Sequence, residues 1–277
     1  MLSIVIVNYK NPALLRLCLG SLVRELSPHF DYEVVVVDSQ TSVETQNVVR
    51  EEFTTLFKKI TLVPYRENTG YTRGNNEGMR KSSGDHFLIL NPDAMITKGS
   101  VKRLYEYLVA HPQVGLLGPQ LLDFNGTRQQ SCFRFYSIFT ILYRRVNHLP
   151  FANRILNRFL MRDADLSKTI PVDWLMGSAL MTSRAAVQRV GLMDERMFHY
   201  FSEVDWARRF WENGYAVTYF PHAQMYHYHR RQSKGRFGIF DIIMQRESRW
   251  HLMDGIRYFL KYGFSTARPS YAHHGTA

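Results

Sequence analysis

The first ninety residues alternate between two kinds of apolar pattern. LSIVIV (2–7) and EVVVVD (33–38) are nearly unbroken, mostly β-branched runs, the pattern of strands buried on both faces of a parallel sheet. Between them Leu14, Leu15, Leu17, Leu19, Leu22, Val23 and Leu26 recur at helical spacing, with Pro12 in the first turn, so a β-α-β unit opens the chain. The same reading predicts a helix over 41–57, a strand over 60–64, a helix over 71–82 and a strand over 86–90 that runs into Asn91-Pro92-Asp93. Repeated alternation of this kind implies an open α/β sheet with its ligand site at the carboxyl ends of the strands.

Past Pro119 the alternation fades. Residues 124–170 are rich in arginine and aromatics, with a mobile middle expected around 147–157. VDWLMGSALMT (172–182) reads as a strand or strand pair, 184–190 as a helix, and 202–213 as a helix stopped by Gly214. A strand is expected over 216–219, a histidine-rich loop over 221–229, and one or two helices over 237–262. No internal repeat is present.

Composition narrows the class. Apolar residues make up 45% of the 277, which excludes a disordered or collagen-like chain. Two cysteines, Cys18 and Cys132, cannot build a disulfide framework and read as small core residues. Leu2–Val7 lacks the charged flank and cleavage site of a leader, and no uncharged apolar run reaches membrane-spanning length. A soluble chain on the cytoplasmic side is expected.

The net charge of +11 is unevenly spread. Seven arginines and no acid lie between Phe124 and Arg162, and nine bases against three acids between Arg230 and Arg268. Such patches suit nucleic acid, anionic lipid or acidic small molecules, and charge alone does not choose.

Several polar residues stand where chemistry could use them. Asp38 ends a buried strand, where it either meets a ligand hydroxyl or base edge, or caps the following helix. Gly70, Gly74 and Gly78 would share one helix face, bare enough for a ligand or a strand. Asn68, Asn75 and Asn76 offer amides suited to a nucleobase or sugar. Pro92 fixes a turn from which Asp93 projects, either as a ligand for Mg²⁺ or Mn²⁺ beside substrate phosphates or as a turn-stabilising residue. Glu203 and Asp205 open a helix two positions apart, so they point to different sides. His222, His227 and His229 cluster without zinc-finger spacing.

Together these segments resemble the inverting family 2 glycosyltransferases, in the rhamnosyltransferase-like branch. The pieces SIVIVNYKN, VVVVDS, RENTGYTRGNNEG, LILNPDA, WLMGSALMTSRAAVQRVGLMDERMFHYFSEVDWARR and PHAQMYH follow the family's order from Leu2 to about His229. The resemblance implies an α/β GT-A fold: a Rossmann-like nucleotide half (1–120) fused to an acceptor half (121–229), with a basic aromatic C-terminal helical segment (230–277). It assigns Asn8, Asp38, Arg66, Asn68, Gly70, Arg73, Asn75, Asn76, Asn91 and Asp93 to the nucleotide sugar. It assigns a Mg²⁺ or Mn²⁺ to Asp93 and His227; Asn91 stands where the family's D-x-D has its first acid. Glu203 occupies the position of the catalytic base, with Ser202 where a preceding acid is usual and Asp205 as the alternative acid.

The reaction implied is inverting transfer of a sugar, rhamnose from dTDP-rhamnose before a UDP-sugar, to a hydroxyl of a cell-surface glycan or lipid-linked acceptor. The Arg-aromatic segments 133–161 and 237–264 then become candidates for peripheral contact with an anionic membrane at its cytoplasmic face. Two alternatives fit less well. A sugar nucleotidyltransferase should carry a glycine-rich triphosphate loop after the first strand, where Asn8-Tyr9-Lys10-Asn11 stands. A basic nucleic-acid-binding protein leaves Asp38, Asp93 and Glu203 unused, so nucleic acid is not an expected partner.

Overall fold

A computed structural model describes residues 1–27, 30–145, 152–228 and 246–264. The opening units form as their patterns require: β1 (Leu2–Tyr9), α1 (Pro12–Glu25), β2 (Tyr32–Ser39), α2 (Val43–Asn47), β3 (Ile60–Pro64), α3 (Gly70–Lys81) and β4 (His86–Leu90). Asn11 caps α1 by accepting from the Leu14 amide at 3.3 Å. The helix expected over 41–57 starts later, because Ser42 takes the cap, and it ends in a π-helical turn over Val48–Phe53.

Next come β5 (Ala94–Ile96), α4 (Ser100–Ala110) and β6 (Val114–Leu122). The apolar pattern does not announce β6, because Gly115, Gly118 and Pro119 interrupt it. The remaining elements are β7 (Cys132–Phe133), α5 (Ile138–Arg145), α6 (Ala152–Phe159), β8 (Ile170–Pro171), β9 (Trp174–Leu175), β10 (Ala179–Ser183), α7 (Arg184–Val190), α8 (Ser202–Glu212), β11 (Ala216–His227) and α9 (Arg246–Tyr262). The main sheet runs β3-β2-β1-β4-β10-β6-β11-β5, with β8 added to β11. β1 to β4 are mutually parallel, and β10 lies antiparallel between β4 and β6.

Period-two geometry splits the apolar strands between two cores. Leu2, Ile4 and Ile6 pack under α1 and α4 with Leu15, Leu19 and Leu104. Val5 faces the other side, where Met79 of α3 and Trp206 and Phe210 of α8 lie. Each buried aliphatic side chain of this kind contributes about 1.5–3 kcal/mol. The glycines of α3 let that helix sit directly on β1: a Cβ at Gly74 would lie 2.7 Å from Val7 Cγ1, and one at Gly78 would overlap Val5 Cγ1. Of the two uses open to that bare face, strand packing takes Gly74 and Gly78.

Three expectations need correction. The loop expected over 221–229 is strand as far as His227, and the register shift between Phe220 and Gln224 is the irregularity that admits Pro221. The strand pair expected in 172–182 does not pair with itself; β9 joins β7, whereas β10 enters the main sheet. In the segment 133–161, Phe133, Phe135, Tyr136, Phe159 and Met161 are core residues, with Phe133 stacked on Trp174 at 4.2 Å, so their apolar surface is spent inside the protein. Of the mobile stretch expected around 147–157, residues 152–157 are helical in α6, whereas 147–151 lie outside the described residues, as do His229, residues 230–245 and the tail beyond 264.

Over its described part the C-terminal helix packs into the core. Tyr258 is fully buried in the α8-side core and Asp254 is 1% exposed. Cys18 and Cys132 are both buried thiols, as expected. Among the described residues no helix is long and apolar enough to cross a membrane.

Candidate active site

Strand register brings the first polar group together. Asn8 on β1 stands directly opposite Asp38 on β2, and Asn8 Nδ2 donates to Asp38 Oδ1 at 3.0 Å and to Thr45 Oγ1 at 3.1 Å. The second Asp38 oxygen accepts from the Ser42 amide at 3.2 Å. Next to it Ser39 Oγ accepts from the Thr69 amide at 2.7 Å and donates to Asn68 Oδ1 at 3.1 Å. Asn68 Oδ1 also accepts from the Gly70 amide at 2.9 Å. Gly70 has φ +68°, and a Cβ there would fall 2.5 Å from the Phe198 carbonyl. Asn8 Oδ1 is buried and lacks a hydrogen-bond partner among the described residues. Arg66 and Arg73 are exposed on the same segment, Arg73 paired with Glu67 at 2.6 Å.

A second group forms where three strand ends meet. Pairing of Ala179 with Leu90 sets the Ser178 carbonyl against the Asn91 amide at 2.9 Å. Pairing of His227 with Ala94 brings His227 beside Asp93, whose carbonyl accepts from the Tyr228 amide at 2.9 Å. His227 Nε2 then lies 3.5 Å from Asp93 Oδ1 and 3.0 Å from Ser178 Oγ. Its Nδ1 is 2.9 Å from Gln129 Oε1. Gln129 Nε2 donates to Asp123 Oδ1 at 2.5 Å and to the His227 carbonyl at 2.7 Å. The Gln129 oxygen is therefore an acceptor and His227 Nδ1 carries a proton, while Nε2 faces both Ser178 Oγ and Asp93.

These residues fit a divalent cation. Asp93 Oδ1 is buried without a hydrogen-bond partner among the described residues, and desolvation pushes the carboxyl up to about 6. An oxygen and an imidazole nitrogen converging on one point suit Mn²⁺ or Mg²⁺. Among the described residues no cluster of three or more His, Cys, Asp or Glu forms, so the remaining ligands would have to come from water and substrate phosphate. Cys18 lies near but is held as a thiol by burial and by Asp93. His222 sits apart on β11, its carbonyl accepting from Arg103 at 2.7 Å.

Glu203 starts α8 just after Phe201, which has φ +62°. It is half-buried, and desolvation pushes its carboxyl up to about 7; Asp254 adds to the rise, while the Glu203 amide and Ser202 oppose it. Tyr71 of α3 faces it, its phenol held well above its usual range by burial and by the Glu203 charge. The Tyr71 hydroxyl donates to the Gly177 carbonyl at 2.8 Å, and a Cβ on Gly177 would come within 2.5 Å of that hydroxyl. Gly177 is bonded to Ser178, so a single peptide links the Tyr71–Glu203 pair to the Asp93–His227 pair.

Two predicted residues are engaged elsewhere. Asp205 is fully buried on another side of α8; it accepts from Arg209 at 2.8 Å, Lys261 at 2.5 Å and Tyr262 at 2.8 Å. With both oxygens taken by these partners, it is a structural anchor for α9. Asn76 donates to the Met193 carbonyl and to Glu195, each at 2.9 Å, and accepts from the Met193 amide at 3.0 Å. Its amide is spent on holding the loop after α7. Asn75 donates to the Tyr71 carbonyl at 2.9 Å.

Sequence reasoning missed Ser178, Gln129 and Tyr71 as parts of the site. Ser178 carried a faint signal, a Gly-Ser pair ahead of an apolar strand. Gln129 carried none, since its partner His227 is distant in sequence.

The chain belongs to glycosyl transferase family 2, whose profile matches residues 3–186, and it is a glycosyltransferase with the GT-A fold. It is 29% identical over 250 residues to the N-acetylglucosaminyl-diphospho-decaprenol L-rhamnosyltransferase of Mycobacterium tuberculosis, spanning 85% of this chain and 78% of that protein. It is 25% identical over 226 residues to the dTDP-rhamnosyl transferase RfbF of Shigella flexneri, spanning 80% of this chain and 67% of that protein. Among solved structures, GalNAc-T7 with UDP, GalNAc and Mn²⁺ superposes with a TM-score of 0.66 at 13% identity, over 83% of this chain but 43% of that one. The mannosyltransferase PcManGT of Pyrobaculum calidifontis, with GDP-Man and Mn²⁺, superposes at 0.61 and 18% identity over 97% of this chain and 66% of that one. The chain thus spans less than half the length of the first of these structures.

Proposed function

We propose that this protein transfers rhamnose from dTDP-rhamnose to a hydroxyl of a lipid-linked glycan, with inversion and with a divalent cation. The observation that carries the reading is the chain of contacts that runs from Glu203 through Tyr71 and Gly177-Ser178 to the Asp93–His227 pair. Glu203 takes the proton of the acceptor hydroxyl as its oxygen bonds to the anomeric carbon, and the bond from that carbon to the diphosphate breaks on the opposite face. A carboxyl near 7 is matched to that task, since it is ionised in a useful fraction at neutral pH yet basic enough to accept a proton. Asp93 and His227 would hold Mn²⁺ or Mg²⁺, which when bound neutralises the charge of the departing diphosphate. Asn8, Asp38, Asn68 and Gly70 supply the polar pocket for the nucleotide.

The donor and acceptor assignments rest on the relatives, one a dTDP-rhamnosyl transferase and one acting on a decaprenol-linked substrate by name. The outer face of α9 supports a membrane-borne acceptor. Leu252, Met253, Ile256 and Leu260 are exposed there, as is Phe264 just beyond the helix. The exposed charged residues of that helix, Arg246, Arg249, Arg257 and Lys261, are all basic, a combination suited to the cytoplasmic face of an anionic bilayer.

The test is a panel of nucleotide sugars with Mg²⁺ or Mn²⁺, read as thermal stabilisation and as slow nucleoside diphosphate release. dTDP-rhamnose should give the largest response, and a larger response to a UDP- or GDP-sugar would replace it as donor. Pelleting with anionic liposomes at low salt tests the membrane reading, which fails if the protein stays in the supernatant.

A further inference from the structure

The loop that delivers Glu203 is held from behind by the C-terminal helix. Asp254 on α9 is buried, and its carboxylate accepts from three consecutive backbone amides: Phe198 at 3.1 Å, His199 at 3.0 Å and Tyr200 at 3.0 Å. Its other oxygen takes a second contact from the Phe198 amide and one from Arg257, both at 3.1 Å. Successive amides converging on one carboxylate make a charge-assisted clamp, stronger than neutral hydrogen bonds and fixed in direction. The neighbouring Gly255 completes a socket: an added Cβ would lie 3.2 Å from Cε2 of Phe201, the left-handed residue that turns the chain into α8. The Phe198 carbonyl of the same loop approaches Gly70 and accepts from the Thr72 amide at 3.4 Å, so the clamped loop also borders the nucleotide pocket.

We infer that Asp254 is a positioning residue for the transfer reaction, holding the 198–201 loop so that Glu203 stands at the cleft. This rests on the proposed role of Glu203 as base. It predicts that the C-terminal helix is required for turnover although none of its residues needs to touch the substrate. Misplacement of a reacting group by about 1 Å costs up to ~100-fold in rate.

The charged and titratable groups facing Glu203 are Tyr71 from α3, Tyr200 from the loop and Asp254 from α9, with Glu247 of α9 acting on Tyr200. Removing the Asp254 charge therefore lowers the pH at which Glu203 loses its proton. In Asp254→Asn, turnover should fall about 10- to 100-fold while affinity for the nucleoside diphosphate changes less than about 3-fold, and the acid limb of the pH profile should move to lower pH. A purely structural role would lower Tm and leave that limb in place. Wild-type turnover with an unmoved limb in folded Asp254→Asn overturns the inference.

Amide exchange in the wild-type chain gives a second measurement that needs no variant to fold. The Phe198, His199 and Tyr200 amides should exchange slowly for a loop, and rapid exchange overturns the clamp. Should Glu203→Gln retain wild-type turnover, the base assignment falls and the positioning role falls with it. Loss of activity in Glu203→Gln together with rapid exchange at these amides would refute the clamp alone.

Discussion

Two carboxylates of one motif, Glu203 and Asp205, are assigned opposite kinds of work, and Glu203→Gln and Asp205→Asn separate them. Raising a carboxyl from 4.5 to about 7 makes its charged form costly by about 3 kcal/mol, which partial exposure reduces to roughly 1–2 kcal/mol. The folded state binds this proton more tightly than the unfolded chain. The associated stability is therefore complete below about pH 4.5 and is lost as pH rises through about 7. Glu203→Gln should then be slightly more stable than wild type at pH 8, yet lose about 10²- to 10⁴-fold in turnover.

Asp205→Asn behaves in the reverse way. It removes the fully buried carboxylate that Arg209 and Lys261 share, a loss of about 3–5 kcal/mol. For a domain of this size that lowers Tm by about 6–10 °C. The folded fraction should keep the acid limb near pH 7, with about one tenth of full rate at pH 6. Nucleoside diphosphate release measured across the pH range, beside thermal unfolding, reads both quantities. A stable Asp205→Asn with a turnover defect of about 10²-fold, next to an active Glu203→Gln, would refute the division of roles.

Other outcomes follow from individual contacts. Gln129→Ala removes the acceptor that fixes the His227 tautomer, so cation affinity measured by titration should weaken about 10- to 100-fold with the nucleotide pocket unaltered. Asp93→Ala should abolish cation-dependent stabilisation by nucleotide, and full transfer in excess chelator would remove the cation from the scheme. Gly78→Ala forces a methyl group into Val5 and should cost about 1–3 kcal/mol in denaturant unfolding, with activity per folded molecule retained. Glu33 is buried and, against the upward push of desolvation, is held down at about 2 by Lys59, the Ser83 amide and the hydroxyls of Ser3 and Ser83. Its contribution should be complete above about pH 4.5 and lost toward pH 2, and Glu33→Gln should flatten that acid limb of stability.

Much of this protein is written locally. The β-branched runs 2–7 and 33–38, the leucine periodicity of α1 and the glycine spacing of α3 dictate strands, helices and their alternation without any long-range information, because side-chain period and backbone sterics act over a few residues. The motif order suffices to name the family, and Asp93, His227 and Glu203 stand out by type and position as the candidates on which the proposed function rests.

What the chain pattern does not contain is which partner each polar group finds. Asp205 and Glu203 share a motif and differ only by rotation around a helix, so only packing against Lys261 and Tyr262 reveals that one is an anchor. Asn76 resembles a ligand-binding amide until the loop at Met193 closes on it. Pro221 reads as a loop residue until a register shift in β11 absorbs it. The proton on His227 is fixed by Gln129 and the loop that carries Glu203 by Asp254, contacts that span 98 and 55 residues of chain respectively. Hydrogen bonds and ion pairs act within a few ångströms of space whatever the sequence separation, so tertiary structure alone decided which polar residues this enzyme holds for chemistry and which it spends on its own architecture.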